Sequence, residues 1–252
     1  MPVKPIRDLF SGHSDVYEKY RPDYPPSLYQ AILQYTPGRG KYWDCATGNG
    51  QVARVLAGHF KQACATDISK NQLEKAPVMA NLTYKVSRAE DTGFEANTFD
   101  LITVAQAIHW FDITAFLEEA RRVGRAGCTL AVWGYGQVRF GGVLDDHIEH
   151  FYREVVGPYW AGERAHIDSA YADIDFNLNE EADLGNHRIE KAMNLESLRG
   201  YLTSWSSVQN YIRKQRHNPV DPFIETLGRH WKGEAEKIAV FPLFGKMGRL
   251  GK

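Results

Sequence analysis

The chain has 252 residues and 43% of them are hydrophobic, which is enough to build the core of one large α/β domain or of a domain with an insertion. The formal net charge of −1 argues against the basic surface that general nucleic-acid binding requires. No apolar run approaches the length of a membrane span, and the first ten residues lack the apolar segment of a secretory signal. We therefore expect a cytoplasmic protein that binds neither nucleic acid nor membrane.

The cysteines indicate a reduced protein without a metal centre. All three, Cys45, Cys64 and Cys128, lie in apolar, strand-like runs without a C-x-x-C spacing. Such residues are typical of small buried hydrophobic side chains. We therefore predict neither a disulfide nor a metal site.

The first 40 residues are predicted to form a helical cap. A short helix fits Asp8 to Tyr20, and the proline-rich run from Arg21 to Pro26 ends it. Pro26 in turn suits the start of a second helix, in which apolar residues recur at helical spacing.

The stretch from Tyr42 to Ala53 is typical of a buried strand, a glycine turn and a helix with Val52, Val55 and Leu56 on its inner side. Glycine adopts positive φ and has no Cβ, so a turn at Gly48 and Gly50 allows the backbone to approach a ligand closely. The free N–H groups and the dipole at a helix N-terminus attract carboxylate or phosphate. These features predict a nucleotide-type site.

Two nucleotides fit this turn. Gly48 to Ala53 satisfies the dinucleotide pattern G-x-G-x-x-G/A, and Asp67 follows the apolar run from Ala63 to Thr66, where a carboxylate suits ribose hydroxyls. NAD and S-adenosylmethionine both carry such a ribose. Asp44, just before the turn, would repel a pyrophosphate but suits the cationic amino-acid end of S-adenosylmethionine.

The chain then continues to alternate strands and helices as far as Trp133. Strands are predicted at Leu82 to Ser87, Phe99 to Ala105 and Cys128 to Trp133. Ser69 with Gln72 resembles a capping box, and Asp112 is placed to cap a helix with Ile113, Phe116, Leu117 and Ala120 turned inward. This alternation predicts an α/β fold with a Rossmann-like doubly wound sheet, mostly parallel.

Ligands of such sheets bind outside the carboxyl ends of the strands. The candidate ligand-binding segments are therefore those that follow each strand: Ala46 to Gly50, Asp67 and Ile68, Arg88 to Asp91, Gln106 to Asp112, and Gly134 to Gln137.

The second half breaks the alternation. Residues 136–186 are predicted to form a helical insertion after the fifth strand, on the acceptor side of the site. A strand follows at His187 to Ala192, then two helices, and an antiparallel last strand at Ile238 to Phe244. We expect a single domain of four parts: the cap at 1–40, the cofactor-binding core at 41–135, the insertion at 136–186, and the C-terminal part of the sheet at 187–252.

Taken together, the glycine turn, Asp67, Phe99 to Ile102, Ala107 to Asp112 and the run from Tyr20 to Pro25 resemble the class I S-adenosylmethionine-dependent methyltransferases. The chain is most similar to the small-molecule branch with the methyltransferase type 11 domain, which includes the trans-aconitate methyltransferases. The matching motifs extend from Val16 to Trp133. The resemblance implies S-adenosylmethionine as cofactor, S-adenosyl-L-homocysteine as product and a small-molecule methyl acceptor as partner.

The resemblance also implies the roles of individual residues. Asp44 to Gly50 matches the family's D-x-G-C-G-x-G loop, with Ala46 in place of the first glycine, at a strain of about 1 kcal/mol if φ is positive there. Asp67 matches the acid that takes the ribose hydroxyls, and Ala89 with Glu90 matches the adenine segment, although Arg88 replaces the usual aspartate. The implied cofactor-binding residues are Tyr20, Asp44, Ala46, Gly48, Gly50, Asp67, Ile68, Ala89, Glu90 and Gln106.

The implied reaction is an in-line attack by the acceptor on a sulfonium methyl group. Tyr20, Trp110 and Phe111 are candidates for an aromatic lining near the sulfur, although core packing is an equal explanation of them. A hydroxyl or amine acceptor needs a base, for which His109 is the candidate catalytic residue. A carboxylate acceptor needs cations instead, and the arginines of the insertion offer them: Arg139, Arg153 and Arg164.

Two alternative functions stay open at this point. One is an NAD-linked oxidoreductase, favoured by the G-x-G-x-x-A pattern and disfavoured by Asp44. The other is a non-catalytic S-adenosylmethionine-binding regulator on the same fold, since a fold does not determine a function.

Overall fold

The computed structural model describes residues 20–184, 186–233 and 235–251. The predicted helix from Asp8 to Tyr20 therefore lies, except for Tyr20, outside the described residues. The strands are β1 (Lys41–Cys45), β2 (Gln62–Asp67), β3 (Leu82–Val86), β4 (Phe99–Ala105), β5 (Gly124–Tyr135), β6 (Leu178–Asp183), β7 (Arg188–Met193) and β8 (Lys237–Leu250). The α-helices are α1 (Pro26–Tyr35), α2 (Ala53–Leu56), α3 (Lys70–Leu73), α4 (Ile113–Val123), α5 (Val143–His150), α6 (Ala165–Asp168), α7 (Leu195–Thr203), α8 (Ser206–Gln215) and α9 (Val220–Gly228).

The strands form one sheet in the order β3-β2-β1-β4-β5-β8-β6, and β7 pairs with β8 beside this path. The pairs among the first five strands are parallel, whereas β8 is antiparallel to β5, β6 and β7. Strand order reverses at β1, between β2 and β4. The predicted Rossmann-like doubly wound sheet with an antiparallel last strand is thus confirmed.

Both faces of the sheet are covered. Tyr42 and Leu101 belong to the apolar cluster on one face, and their chain neighbours Trp43 and Ile102 belong to the cluster on the other. Successive side chains of a strand point to opposite faces, so a strand buried on both is mostly apolar. This explains why five of the seven residues of β4 are apolar; the bounds of the strand agree with the prediction.

Ser69 and Asp112 cap helices as predicted, but at Ser69 only half of the predicted capping box is seen, because the Ser69 backbone N–H donates to Asp67 at 2.8 Å. The Ser69 side chain accepts a hydrogen bond from the Gln72 backbone N–H at 3.4 Å, and the Asp112 carboxylate accepts one from the Ala115 N–H at 3.2 Å. Within α4, Phe116, Leu117 and Ala120 are buried as expected, while Ile113 is half-buried.

Several details differ from the sequence predictions. The insertion is not entirely helical, because β6 lies within it and forms an edge of the sheet. The last strand runs from Lys237 to Leu250, well beyond the predicted end at Phe244, and α9 was not predicted. Val55 is 38% exposed, because the short helix α2 packs inward through Ala53 and Leu56 instead.

The three cysteines are free thiols, of which Cys45 and Cys128 are buried and Cys64 is half-buried. Within the described ranges, no helix is both long enough and apolar enough to cross a bilayer.

Candidate functional site

A cavity of about 350 Å³, which we call the first cavity, opens at the carboxyl ends of the parallel strands. Its wall contains the four segments that follow β1, β2, β3 and β4: residues 46–49, 67–69, 87–90 and 105–107. This is the place where a doubly wound sheet binds its ligand, beside the reversal of strand order.

The glycine turn after β1 brings the backbone to the cavity. Gly48 lines the cavity at φ +58°, and a Cβ added to it would have no atom within 4 Å, so the space beside it is open to a ligand. Gly50 at φ +81° faces the other way, because its Cβ would lie 2.8 Å from the Tyr84 hydroxyl. Ala46, at the position of the missing first glycine, has φ +55° and is therefore strained.

Asp67 connects the end of β2 to the glycine turn. Its carboxylate accepts hydrogen bonds from the backbone N–H of Gly48 at 2.9 Å and from that of Ser69 at 2.8 Å. A carboxylate has about four lone-pair positions, so these contacts orient Asp67 and leave acceptor capacity toward the cavity that it lines.

Asp44 is a buried carboxylate at the end of β1. Its oxygens accept hydrogen bonds from the Thr103 hydroxyl at 2.6 Å and from the Thr47 hydroxyl. Burial raises the pKa of Asp44 to about 6, and these two hydrogen bonds oppose the shift. A cationic ligand group in the cavity would favour the ionised form.

The loop after β3 is held by two carboxylates. Glu90 accepts a hydrogen bond from the Asp112 backbone N–H at 3.0 Å and pairs with Arg88 at 3.2 Å. Glu119 of α4 is buried and accepts from the Thr92 N–H at 2.9 Å. These contacts fix Ala89 and Glu90 against the wall of the first cavity.

Gln106 follows β4 at φ +55°, as Ala46 follows β1. Its backbone N–H donates to the Trp133 carbonyl at 2.7 Å, and its side-chain oxygen accepts from the Tyr135 N–H at 2.7 Å. These hydrogen bonds to the end of β5 therefore offset the strain of the left-handed backbone at Gln106. Gly134 is needed beside it, because an added Cβ there would lie 2.8 Å from the Gln106 oxygen.

A second cavity of about 50 Å³ adjoins the first. Both are lined by Arg21, Gln106, Trp110 and Tyr135, which therefore form a shared wall. The remaining lining of the second cavity comes from the segments after β4 and β5, the insertion, α7 and the start of α8: His109, Gly136, Gln137, Trp160, Ala161, Arg164, Tyr201, Trp205 and Ser206.

The two cavities differ in charge. The ionised side chains on the first are the acids Asp44, Asp67, Glu90 and Glu163 with the bases Arg21 and Arg88. Among the described residues, no carboxylate lines the second cavity, where Arg21 and Arg164 are the cations. The excess of acids in the first cavity fits a positively charged nucleoside such as S-adenosylmethionine and disfavours the pyrophosphate of a dinucleotide.

Most of the residues predicted to bind the cofactor line the first cavity: Asp44, Ala46, Gly48, Asp67, Ile68, Ala89, Glu90 and Gln106. Tyr20 and Gly50 do not. The Tyr20 ring packs against Gly200 of α7, and Gly50 instead meets Tyr84. Of the aromatic candidates, Trp110 and Phe111 are in the wall.

The predicted catalytic residue lies at the second cavity. His109 is buried, and its ring is 4.7 Å from that of Trp110. Of the three arginines proposed for a carboxylate acceptor, Arg164 lines this cavity, whereas Arg153 pairs on the surface with Glu149 and Arg139 is exposed.

Sequence reasoning missed Arg21, Gln137 and Trp160 as site residues. Arg21 lies within the Tyr20 to Pro25 motif, and Gln137 ends the segment that follows the fifth strand, so their positions could have indicated a role at the site. Trp160 lies in the insertion, where no motif distinguished it from other aromatic residues.

Comparison with known proteins agrees with this geometry. Residues 43–132 match the sequence profile of a family described as a methyltransferase domain. A Dictyostelium discoideum protein named as a methyltransferase is 33% identical over 245 residues, which cover 94% of this chain and 93% of that one. A Saccharomyces cerevisiae protein named as an S-adenosylmethionine-dependent methyltransferase, CRG1, is 24% identical over 84% of this chain and 85% of its own.

A solved structure supports the same relationship. A protein from Anaeromyxobacter dehalogenans described as a type II methyltransferase superposes with a TM-score of 0.83 at 31% identity, covering 92% of this chain and 98% of that one.

Proposed function

Because the chain belongs to the class I S-adenosylmethionine-dependent methyltransferases, we propose that it transfers a methyl group to a small molecule held in its second cavity. The residues shared by the two cavities support this proposal. Because Gln106 and Trp110 line both, an acceptor in the second cavity would lie beside a cofactor in the first. Holding two reactants in line at such a boundary is worth several kcal/mol of the barrier, about 7–11 in favourable cases.

The residues of the first cavity would hold the cofactor. Asp44 and the Gly48 turn suit its amino-acid part, Asp67 the ribose hydroxyls, and Ile68 with Ala89 and Glu90 the adenine. When bound, S-adenosylmethionine supplies an electrophilic methyl group on a sulfonium, open to in-line attack by a carboxylate, hydroxyl or amine. Trp110 and Phe111 present aromatic faces that stabilise a cation by about 1 kcal/mol.

His109 is proposed to accept the proton from a hydroxyl or amine acceptor. Its position on the second cavity, away from the first, supports this role. The His109 ring also packs against the Trp110 ring. If this packing is its only role, substitution of His109 should change the stability of the protein and not kcat.

Calorimetry with S-adenosylmethionine and with NAD tests the cofactor, and only the former should bind. Labelled S-adenosylmethionine with a panel of small acids, phenols and amines then tests transfer. His109→Gln should lower kcat for a hydroxyl or amine acceptor by about 10²–10⁴-fold, the usual contribution of a general base, while cofactor affinity is kept.

A non-catalytic regulator is the competing function on this fold. It predicts cofactor binding without methyl transfer to any member of a broad panel. Saturable release of S-adenosyl-L-homocysteine that depends on an added acceptor would exclude it.

A further inference from the structure

The second cavity contains hydrogen-bond donors that no described residue uses. The Gln137 Nε2 and Trp160 Nε1 atoms are buried, and neither has a hydrogen-bond partner within the described chain. Both side chains line the second cavity. A buried donor without a partner costs about 1–3 kcal/mol, so native structures keep one mainly where a ligand or water completes it.

The charged side chains that line the second cavity are both cations, Arg21 and Arg164. Arg21 donates to the Tyr135 hydroxyl at 2.5 Å, and its guanidinium carbon is 5.7 Å from the centre of the Tyr201 ring. Arg164 donates to the Tyr152 hydroxyl at 2.8 Å and is 4.5 Å above the centre of the Trp160 ring.

The acid that pairs with Arg164 does not remove this potential. Asp168 lies 3.6 Å from Arg164, but its side chain is 53% exposed, so solvent screens that pair. The described lining of the cavity itself holds two cations and no carboxylate. Its electrostatics therefore favour an anion.

The size of the cavity limits that anion. An apolar cavity of about 150 Å³ holds benzene, so a space of about 50 Å³ holds a group of only a few heavy atoms. A carboxylate has this size. It accepts several hydrogen bonds, and an N–H bond to an ionised carboxylate is about twice as strong as a bond between two neutral groups.

We propose that the second cavity binds a carboxylate group of the acceptor, and that Gln137 and Trp160 are the residues that recognise it. The proposal rests on the proposed function, because it takes the second cavity as the acceptor site. According to this proposal, the acceptor is a small organic acid whose carboxylate accepts hydrogen bonds from two N–H donors in a region of positive potential. Neutral analogues that lack the carboxylate should be rejected.

The indole N–H of Trp160 allows a direct test by NMR in the protein loaded with S-adenosyl-L-homocysteine. Its resonance is assigned by its loss in Trp160→Phe. Titration with propionate should move this resonance downfield in a saturable way, whereas propionamide, which has the same shape without the charge, should bind at least about tenfold more weakly. The Trp133 indole N–H is an internal control, since it is also buried and without a partner within the described chain but lines neither cavity.

Two variants extend the test. Gln137→Met removes the donor at nearly constant volume, and Gln137→Glu adds a repelling charge. Both should weaken propionate binding by about tenfold or more while the affinity for S-adenosyl-L-homocysteine is kept. Equal responses to propionate and propionamide, or no response in protein that binds S-adenosyl-L-homocysteine, would overturn the carboxylate assignment alone. Loss of cofactor binding in the unmodified protein would instead refute the proposed function.

Discussion

The carboxylate of Asp67 accepts a hydrogen bond from the backbone N–H of Gly48, with 2.9 Å between oxygen and nitrogen. This contact joins the ends of two neighbouring strands, β1 and β2, at the mouth of the first cavity. Asp67 therefore has two functions to test, since it orients the glycine turn and is proposed to hold the ribose.

Asp67→Ala should reduce cofactor affinity by roughly 10- to 100-fold, because a charged hydrogen-bond partner contributes about 1.5–3 kcal/mol. Calorimetry with S-adenosyl-L-homocysteine measures this loss. Asp67→Asn is the matched control, since its amide oxygen still accepts from Gly48 while the charge is lost. If Asn restores full affinity, Asp67 acts on the turn alone, and an unchanged affinity in Asp67→Ala would remove it from the site.

The two glycines of the turn should respond differently to the same substitution. Each has positive φ, so alanine costs about 1–2 kcal/mol of stability at either position. At Gly50 the new methyl group also meets the Tyr84 hydroxyl at 2.8 Å, which adds about 1–3 kcal/mol of overpacking. At Gly48 it projects into open space on the cavity wall, where a ligand would lie.

Gly50→Ala should therefore lower the urea midpoint more, while Gly48→Ala should weaken cofactor binding more, by about tenfold or greater. Urea unfolding and calorimetry on both variants separate the two effects. The opposite ranking in calorimetry would mean that Gly50, one of the two glycines expected at the ligand from the sequence, is the one that contacts it.

This pair shows what sequence could and could not predict. The alternation of apolar runs was sufficient to predict that β1 to β5 are parallel and that Asp44, Asp67 and Gln106 lie near the carboxyl ends of these strands. A G-x-G spacing does not reveal which glycine faces the ligand, because that depends on Tyr84, which lies 34 positions further along the chain.

Strand β6 and helix α9 were not predicted from the sequence, and each has a physical feature that explains why. Strand β6 is mostly exposed and polar, and its ion pair between Glu181 and Lys246 of β8, at 2.6 Å, depends on a distant part of the chain. Helix α9 contains Pro222, which usually indicates a break. This proline lies in the first turn of the helix, where a missing backbone N–H costs nothing.

The buried carboxylate of Asp44 should make cofactor affinity depend on pH. Burial raises its pKa to about 6 from the usual 3.8, so the ionised form destabilises the ligand-free fold. The contribution of Asp44 to stability is therefore largest below about pH 4 and is lost as the pH rises through about 6. A cationic ammonium group in the cavity favours ionised Asp44 and lowers this pKa.

Affinity for S-adenosyl-L-homocysteine should consequently fall as the pH drops below about 6, by up to about tenfold per pH unit for one linked proton. Calorimetry between pH 5 and 8 measures it. Thr103→Val removes a donor to the carboxylate and should move the transition to higher pH, while Asp44→Asn should abolish it. A pH-independent affinity in the unmodified protein would place the ammonium group elsewhere.

Ala46 has a left-handed backbone conformation that glycine adopts without strain. At φ +55° an alanine costs about 1–2 kcal/mol, and glycine at such a position costs about 0.4–1 kcal/mol through the entropy of the unfolded chain. Ala46→Gly should therefore raise the free energy of unfolding by about 0.5–1 kcal/mol, seen as a higher urea midpoint with an unchanged m-value.

Ala53→Gly is the matched control, because Ala53 is fully buried in α2 with an ordinary helical backbone. That variant should lose about 1 kcal/mol or more, since glycine gains nothing there and a buried methyl group is removed. If both variants lose stability equally, the packing of the Ala46 methyl group against the core of the sheet outweighs its strain. In that case the turn holds alanine for its packing, and the missing glycine of the motif is a stabilising replacement.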